Sequence, residues 1–447
     1  MRYSQNQWRR TCAGVATAAV LTVPVAATSA YGVTAPPPSP RTSATATASN
    51  SPFASPSSSG SSPSPSGSTS ASNSPSASSD SGFAQLSPAV AARLDTAVKQ
   101  VMREANVPGA MVSLSAPGKG DYVRAFGVAD KATGAPIKTN MYMRIGSETK
   151  TFTVTALLQL VDQGKVHLDD PIGKYISGVP NGDKITLRQL AEMRSGLFNY
   201  SEDEGFVKAM LSDPTKPFTP RQLLDYSFKH PVLSQPGKVF FYCNTNLILL
   251  GLVVEKQSGM PLHDYITQKV LKPAGLTHTS FPTDAAFPSP HAQGYTNQTL
   301  NGKVAVTTDW NPSWGWAAGA MISDLNDLRS WARVLATGTL LSRQTQAQRL
   351  KSVPTTIQGA SYGLGIFNVQ GWIGHNGSLP GYESLTMYLP EAKATLVVLI
   401  NTDIVHDKHE PTTLLGRAIT QIVTPGHVYN LPVTEPHAST SPSPSSK

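Results

Sequence analysis

Met143-Arg144-Ile145-Gly146-Ser147-Glu148-Thr149-Lys150-Thr151-Phe152 puts a serine and a lysine three residues apart at the head of an apolar run that continues through Val154, Ala156, Leu157, Leu158, Leu160 and Val161. The run predicts a helix, and a spacing of three places both side chains on one face of it. A serine hydroxyl is a weak nucleophile at neutral pH until a base takes its proton. A lysine becomes that base when desolvation or a cationic neighbour lowers its pKa. The start of a helix adds free backbone N–H groups and the positive end of its dipole. One segment therefore carries a candidate nucleophile, a candidate base and half of an oxyanion hole. Ser-x-x-Lys arises often by chance and reads equally as an exposed helix face, but no other lysine in this chain has a serine three residues before it. Glu148, beside the nucleophile, is expected in solvent.

Outward from this segment, the chain divides by composition. Of its 447 residues, only the middle three quarters has the apolar content to fold. Residues 1–30 open with Arg9 and Arg10, pass through an apolar stretch from Ala13 to Val23 and end in small residues around Ala26, Ala27 and Ala30. That order is the pattern of a secretory signal peptide, and the stretch is short for a membrane span. Residues 31–82 are dominated by Pro, Ser, Thr, Ala and Gly, and residues 431–447 are of the same style. Such segments bury too little apolar surface to offset their ordering entropy, so both are expected to be disordered, the first as a linker. Cys12 falls in the signal-like segment and leaves Cys243 alone, which excludes an intrachain disulfide in the processed chain. The net charge of +8 comes from scattered Lys and Arg that form no blocks, which speaks against nucleic acid and suits an anionic cell envelope. The expected location is outside the cytoplasmic membrane, with the membrane met only during export.

The foldable part, taken as residues 83–430, begins with a helix capped at Ser87-Pro88 and stopped at Asn106-Val107-Pro108-Gly109. Strands are expected at 110–116 and 122–128, then again at 363–369, 372–375, 384–389 and 395–401, with a closing helix over 411–423. Helices and loops broken by Pro and Gly occupy the region between. Strands at both ends around a helical middle predict an α/β (α+β) fold, one antiparallel sheet built from the two chain ends, flanked by helices and carrying a mainly helical insertion.

Two further motifs complete the set. Tyr242-Cys243-Asn244 lies in Pro236-Gly237-Lys238-Val239-Phe240-Phe241-Tyr242-Cys243-Asn244-Thr245, and His375-Asn376-Gly377-Ser378 follows a predicted strand, where it is expected to start a turn. With Ser147-Glu148-Thr149-Lys150 they resemble, in order and spacing, the three motifs of the penicillin-recognising serine hydrolases, closest to the class C β-lactamases, the secreted DD-carboxypeptidases and their esterase relatives. Met193-Arg194-Ser195-Gly196-Leu197 and Trp310-Asn311-Pro312-Ser313-Trp314 add to the likeness, which spans residues 86–425. The resemblance implies that Ser147 becomes acylated and that the N–H groups of Ser147 and Ser378, beside Gly377, bind the oxyanion. It implies proton traffic through Lys150 and Tyr242, and an Asn244 that holds Lys150 and a substrate amide. His375, where many relatives carry lysine, becomes a donor to the tyrosine or substrate that titrates near neutrality. Trp314 or Trp316 walls the cleft. Which of Lys150, Tyr242 and His375 is the operating base stays open, because such groups titrate together.

Each motif has a plainer reading. A second Tyr-x-Asn at Tyr295-Thr296-Asn297 shows how cheap that motif is. Cys243 reads as a small packed residue, and the remaining histidines show no ligand spacing, so no metal and no cofactor are expected. The relatives that cleave D-alanyl-D-alanine hold the substrate carboxylate with an arginine just before the His-x-Gly, and residues 362–374 contain neither Lys nor Arg. That departure shifts weight toward a broad-specificity carboxylesterase or D-amino-acid amidase, which then ranks nearly equal with a cell-wall peptidase such as a D-alanyl-D-alanine carboxypeptidase, with β-lactamase activity lower. The expected partner is a small molecule or a peptide, such as a peptidoglycan stem peptide, and the expected state is a monomer. The rival from another class is a non-catalytic sensor of penicillin-like ligands, which would not need the activating groups.

Overall fold

A computed structural model describes residues 82–431. The signal-like segment, the linker and the C-terminal tail therefore lie outside the described residues, apart from residues 82 and 431. The main sheet has eight strands, β1 (Gly109–Ala116), β2 (Gly120–Gly127), β3 (Val353–Pro354), β4 (Ala360–Tyr362), β5 (Phe367–Val369), β6 (Trp372–Leu379), β7 (Tyr382–Leu389) and β8 (Ala394–Ile400). Their order is β2-β1-β8-β7-β6-β5-β4-β3, antiparallel throughout. The expected architecture is thus present, with β1 from one chain end paired to β8 from the other, Val112 opposite Val398.

The longer helices are α1 (Pro88–Glu104), α2 (Thr149–Asp162), α3 (Glu204–Ser212), α4 (Pro220–Phe228), α5 (Asn244–Ser258), α6 (Leu325–Thr337), α7 (Arg343–Leu350) and α8 (Pro411–Val423). α1 starts where the sequence predicts, Ser87 accepting from the Val90 N–H with Pro88 in the first turn. α8 packs with α1 on one face of the sheet, so close that Gly416 has no room for a methyl beside Leu385 and Tyr429. On the other face Ala332 and Ala336 of α6 rest on Tyr388 of β7. α2 is buried on all sides from Thr149 to Leu158, and a helix apolar all round belongs inside a domain. Phe152 stacks on Trp331 of α6 at 4.0 Å, and the Trp331 indole N–H donates to Thr151 Oγ1 at 2.8 Å. α2 in turn packs against α5 of the helical middle region. The nucleophile segment is therefore wedged between sheet and helices.

One strand differs from the sequence expectation in a way that matters. β6 does not stop at His375 but continues to Leu379, and the turn falls at Pro380-Gly381. Gly377 is there for close approach and not for turning: a Cβ on it would lie 2.0 Å from the Ile145 carbonyl oxygen. The same holds on the facing segment, where a Cβ on Gly146, at φ +51°, would lie 2.9 Å from the Ser378 nitrogen. Two glycines thus let strand and nucleophile turn touch backbone to backbone.

Candidate active site

Gly146–Glu148 forms a short 3-10 turn that runs into α2 at Thr149. This puts Ser147, half-buried, and Lys150, fully buried, on one face: Lys150 Nζ donates to Ser147 Oγ at 2.8 Å and to the Ala318 carbonyl at 2.8 Å. The Tyr242 ring closes the other side, its centroid 4.9 Å from Lys150 Nζ. Tyr242 is itself held by Phe241, whose N–H donates to Met193 O at 2.8 Å, and by Phe367 of β5, stacked at 6.4 Å. The second Tyr-x-Asn is elsewhere, with the Tyr295 hydroxyl accepting from the Lys131 N–H at 2.7 Å.

Asn244 opens α5 and is buried. Its backbone N–H donates to Asn199 Oδ1 and its Nδ2 to Ser201 Oγ, both at 3.1 Å, while its Oδ1, the atom expected to accept from Lys150, has no partner. Ser378 lies on β6 beyond His375 and Gly377, with its nitrogen beside Gly146 as described and its hydroxyl buried without a partner. β5 pairs with β6 only from Trp372 to Gly374. Among the described residues, His375 to Ser378 therefore have no strand on that side, which leaves a backbone edge next to Ser147. Trp314 is buried, its carbonyl accepting from the Tyr200 hydroxyl at 2.6 Å. It lines a narrow crevice, of only about 10 Å³, with Arg144, Thr307, Trp310, Asn311, Leu379 and Pro380. Trp316 turns away instead, its ring over Gly251 of α5.

His375 departs from expectation. It is buried, its Nδ1 lies 2.5 Å from the Asn376 carbonyl and its Nε2 3.0 Å from the Tyr362 hydroxyl. A carbonyl only accepts, so Nδ1 carries the proton and Nε2 accepts from Tyr362. Burial, and then the Lys150 charge, push the imidazole down to about 3, which keeps it neutral across the physiological range. It is not a group that titrates near neutrality, and its one ring proton is already committed. Tyr362 is a residue the sequence analysis missed; nothing in its local pattern separates it from a core tyrosine.

Glu148 is the second departure. It is buried, and burial lifts its carboxyl to about 8, moderated by the Thr386 and Ser384 hydroxyls that flank it without making a hydrogen bond of ordinary geometry. The signal was in the sequence: apart from Lys150, its neighbours from Thr149 to Leu158 carry no charge that would mark a solvent-facing side of the helix. Arg144 is buried as well, its Nη2 donating to the carbonyls of Ala285, Thr308 and Trp310 at 3.2–3.3 Å over the Phe287 ring. Burial holds its guanidinium down to about 10. Cys243 is fully buried and pushed up to about 12 by desolvation, as a packed residue should be. Among the described residues, His278, Asp324 and Asp327 bring three possible ligand atoms within 4.8 Å. Asp324 caps α6, and Asp327 accepts from the His278 N–H and from Thr279 Oγ1.

The geometry has counterparts. The family model described as Beta-lactamase matches residues 94–419. A D-stereospecific amidohydrolase from Streptomyces sp. superposes with a TM-score of 0.66 at 30% identity, over 74% of this chain and 97% of that one. The D-amino acid amidase of Ochrobactrum anthropi SV3 complexed with D-phenylalanine gives 0.65 at 26%, over 73% and 99%. Among curated proteins, the putative penicillin-binding protein PbpX of Bacillus subtilis is 27% identical over 62% of this chain, and Protein flp of Staphylococcus aureus 27% over 69%. The chain spans 66% and 62% of the length of these two relatives.

Proposed function

As a member of the beta-lactamase family of serine hydrolases, this chain, we propose, cleaves amide or ester bonds of D-amino-acid derivatives through an acyl-enzyme on Ser147, outside the cytoplasmic membrane. The observation that carries the reading is the 2.8 Å contact from Lys150 Nζ to Ser147 Oγ, with the Ser378 nitrogen beside Gly146 across the glycine contact. In the proposed reaction Ser147 Oγ attacks the substrate carbonyl and its proton passes to the Lys150–Tyr242 pair. The oxyanion is held by the N–H groups of Ser147 and Ser378. Collapse delivers that proton to the leaving amine or alkoxide, and water then releases the acid by the same route. His375 takes no proton in this scheme; it fixes Tyr362 and, through Asn376, its own strand. Asn244 Oδ1, buried and unpartnered, is the acceptor offered to a substrate N–H.

A neutral leaving group agrees with the surroundings. From Ser352 to Ala392 there is no Lys or Arg, so the strand edge beside Ser147 supplies no cation for a substrate carboxylate, whose burial without one is costly. Two of the similar structures are by name a D-stereospecific amidohydrolase and a D-amino acid amidase. A second reading, D-alanyl-D-alanine carboxypeptidase, is favoured by the open edge of β6, which suits an extended peptide; the likeness to PbpX, a putative penicillin-binding protein by name, is the reason to probe it with penicillin.

The test is ammonia release from D-phenylalanine amide and its L enantiomer by the full chain and by Ser147→Ala, with intact mass after benzylpenicillin as the arm for the second reading. Turnover of the D form that Ser147→Ala abolishes is expected. Turnover that survives in Ser147→Ala refutes the mechanism, and a penicillin adduct with no amidase activity moves the substrate to the carboxypeptidase side.

A further inference from the structure

The group closest to the nucleophile that the proposed chemistry leaves unused is Glu148. It is 1% exposed, and both carboxyl oxygens are buried without a hydrogen-bond partner. It leaves the turn on the sheet side, against Ser384 and Thr386 of β7. Ser384 Oγ spends its proton on the Ile145 carbonyl at 2.9 Å, and Thr386 Oγ1 is itself buried and unpartnered. A carboxylate in that seat is shut off from bulk solvent and has no bonded counter-charge, so the neutral acid is the stable form. The charged and titratable groups around it do not change this. Within its own segment, Arg144 gives Nη2 to three carbonyls and Lys150 points to Ser147 and Ala318. His375 on β6, opposite Thr386 in register, is neutral. Glu383 on β7 and Tyr429 beyond α8 keep their protons by burial, whereas Glu410 before α8 is lifted only to about 7 and accepts from Asn376 Nδ2 at 2.9 Å, so it titrates in the parent and in a Glu148 variant alike.

The same turn sets the distance from Ser147 to β6. The Glu148 N–H donates to the Ile145 carbonyl at 3.2 Å, the oxygen that also accepts from Ser384 and against which Gly377 is packed. Anything that lifts Glu148 from its seat therefore moves Ser147 relative to the Ser378 N–H. We propose that Glu148, as a neutral carboxylic acid, is a positioning residue for Ser147: seated in the sheet it holds the Gly146–Glu148 turn against β6, and its ionisation releases the turn and switches acylation off. This rests on Ser147 being the nucleophile.

The experiment is the pH profile of kcat/KM for D-phenylalanine amide from pH 6 to 10 in the full chain and in Glu148→Gln, with Ser147→Ala as the blank. Parent activity is expected to fall about tenfold per pH unit above the ionisation of one acid near pH 8. Glu148→Gln should keep activity within about threefold at pH 7 and shift the alkaline limb up by a pH unit or more. Should Glu148→Gln not fold, Glu148→Met, uncharged and of similar volume, takes its place in the same profile. Melting followed from pH 5 to 8 gives a second readout. The folded acid keeps a proton that the unfolded chain has lost, so parent stability falls as pH rises through this window, and the uncharged variant should flatten that slope. An alkaline limb that the uncharged variant leaves unmoved, or equal melting slopes, overturns the proposal alone. Absence of any Ser147-dependent turnover defeats the functional reading and this proposal with it.

Discussion

Gly377→Ala tests the contact on which the whole site depends. A Cβ built there lies 2.0 Å from the Ile145 carbonyl oxygen, 2.9 Å from its carbon and 2.6 Å from Ser384 Oγ. Ordinary carbon–oxygen contacts begin at about 3.3 Å, so strand and turn must part by roughly 1 Å. Neither yields easily, since β6 is paired to β7 from Ile373 to Leu379 and Ile145 donates its N–H to Met321 O at 3.0 Å while its carbonyl accepts from Ser384. Overpacking of this kind costs about 1–3 kcal/mol of stability. The kinetic cost is larger, because the displacement withdraws the Ser378 N–H from the position where charge develops. Loss of one oxyanion donor lowers kcat by about 10²–10³, or roughly 2.7–4 kcal/mol. As the lost interaction belongs to the transition state, kcat and kcat/KM should fall together with KM little changed. The assay is steady-state hydrolysis of D-phenylalanine amide together with a thermal melt. A variant with kcat within threefold of the parent and an unchanged Tm refutes the argument that these two glycines bring the oxyanion strand to the nucleophile.

Two further outcomes follow from burial. His375 is neutral in the fold and protonated in the unfolded chain below its ordinary value, so its contribution to stability is present above about pH 6.5 and is lost as pH falls toward 3. Tm should drop across that window less steeply in His375→Gln than in the parent, and an acid limb of kcat near 6.5 that His375→Gln removes would contradict the neutral assignment. Cys243 should resist a thiol reagent such as dithiobis(nitrobenzoic acid) in the native chain and react at once in denaturant, because the reactive thiolate is suppressed by burial; fast native labelling would show that the core around α5 opens.

Much of this was legible in the sequence, and the limits have physical causes. Ser147 and Lys150 could be paired because a helix fixes what three residues' separation means, and β1 and β8 could be placed because each is a short, mostly apolar run bounded by turn residues. Tyr362 and His375 were harder. Their hydrogen bond joins residues of β4 and β6, two strands apart in the sheet, and nothing in either local pattern announces it. The end of β6 was misjudged because glycine serves two purposes, turning a chain and letting another chain come close, and only the position of Ile145 decides between them. Glu148 was misjudged for a related reason: a charged residue type was taken as a sign of solvent, against a run of buried neighbours on both sides.

The burial of α2 has a consequence that goes beyond any one side chain. Because the helix is covered on every side, its first turn cannot present Ser147 and Lys150 to the cleft without turning Glu148 and Thr151 inward. Glu148 meets β7, and Thr151 accepts the Trp331 indole proton at 2.8 Å while its carbonyl and Thr155 Oγ1 hold Arg349. The nucleophile is thus located from behind, by a neutral acid on the sheet and by a tryptophan and a buried guanidinium on the helical side. Precision of that kind costs stability, since each polar group behind α2 gives up its hydration for bonds that are incomplete: Glu148 makes none and Arg349 Nε none. An apolar residue at 148 would bury more favourably and would hold the turn at every pH. That a carboxyl occupies the seat instead is what makes the alkaline limb, rather than the melting temperature alone, the informative observable for this segment.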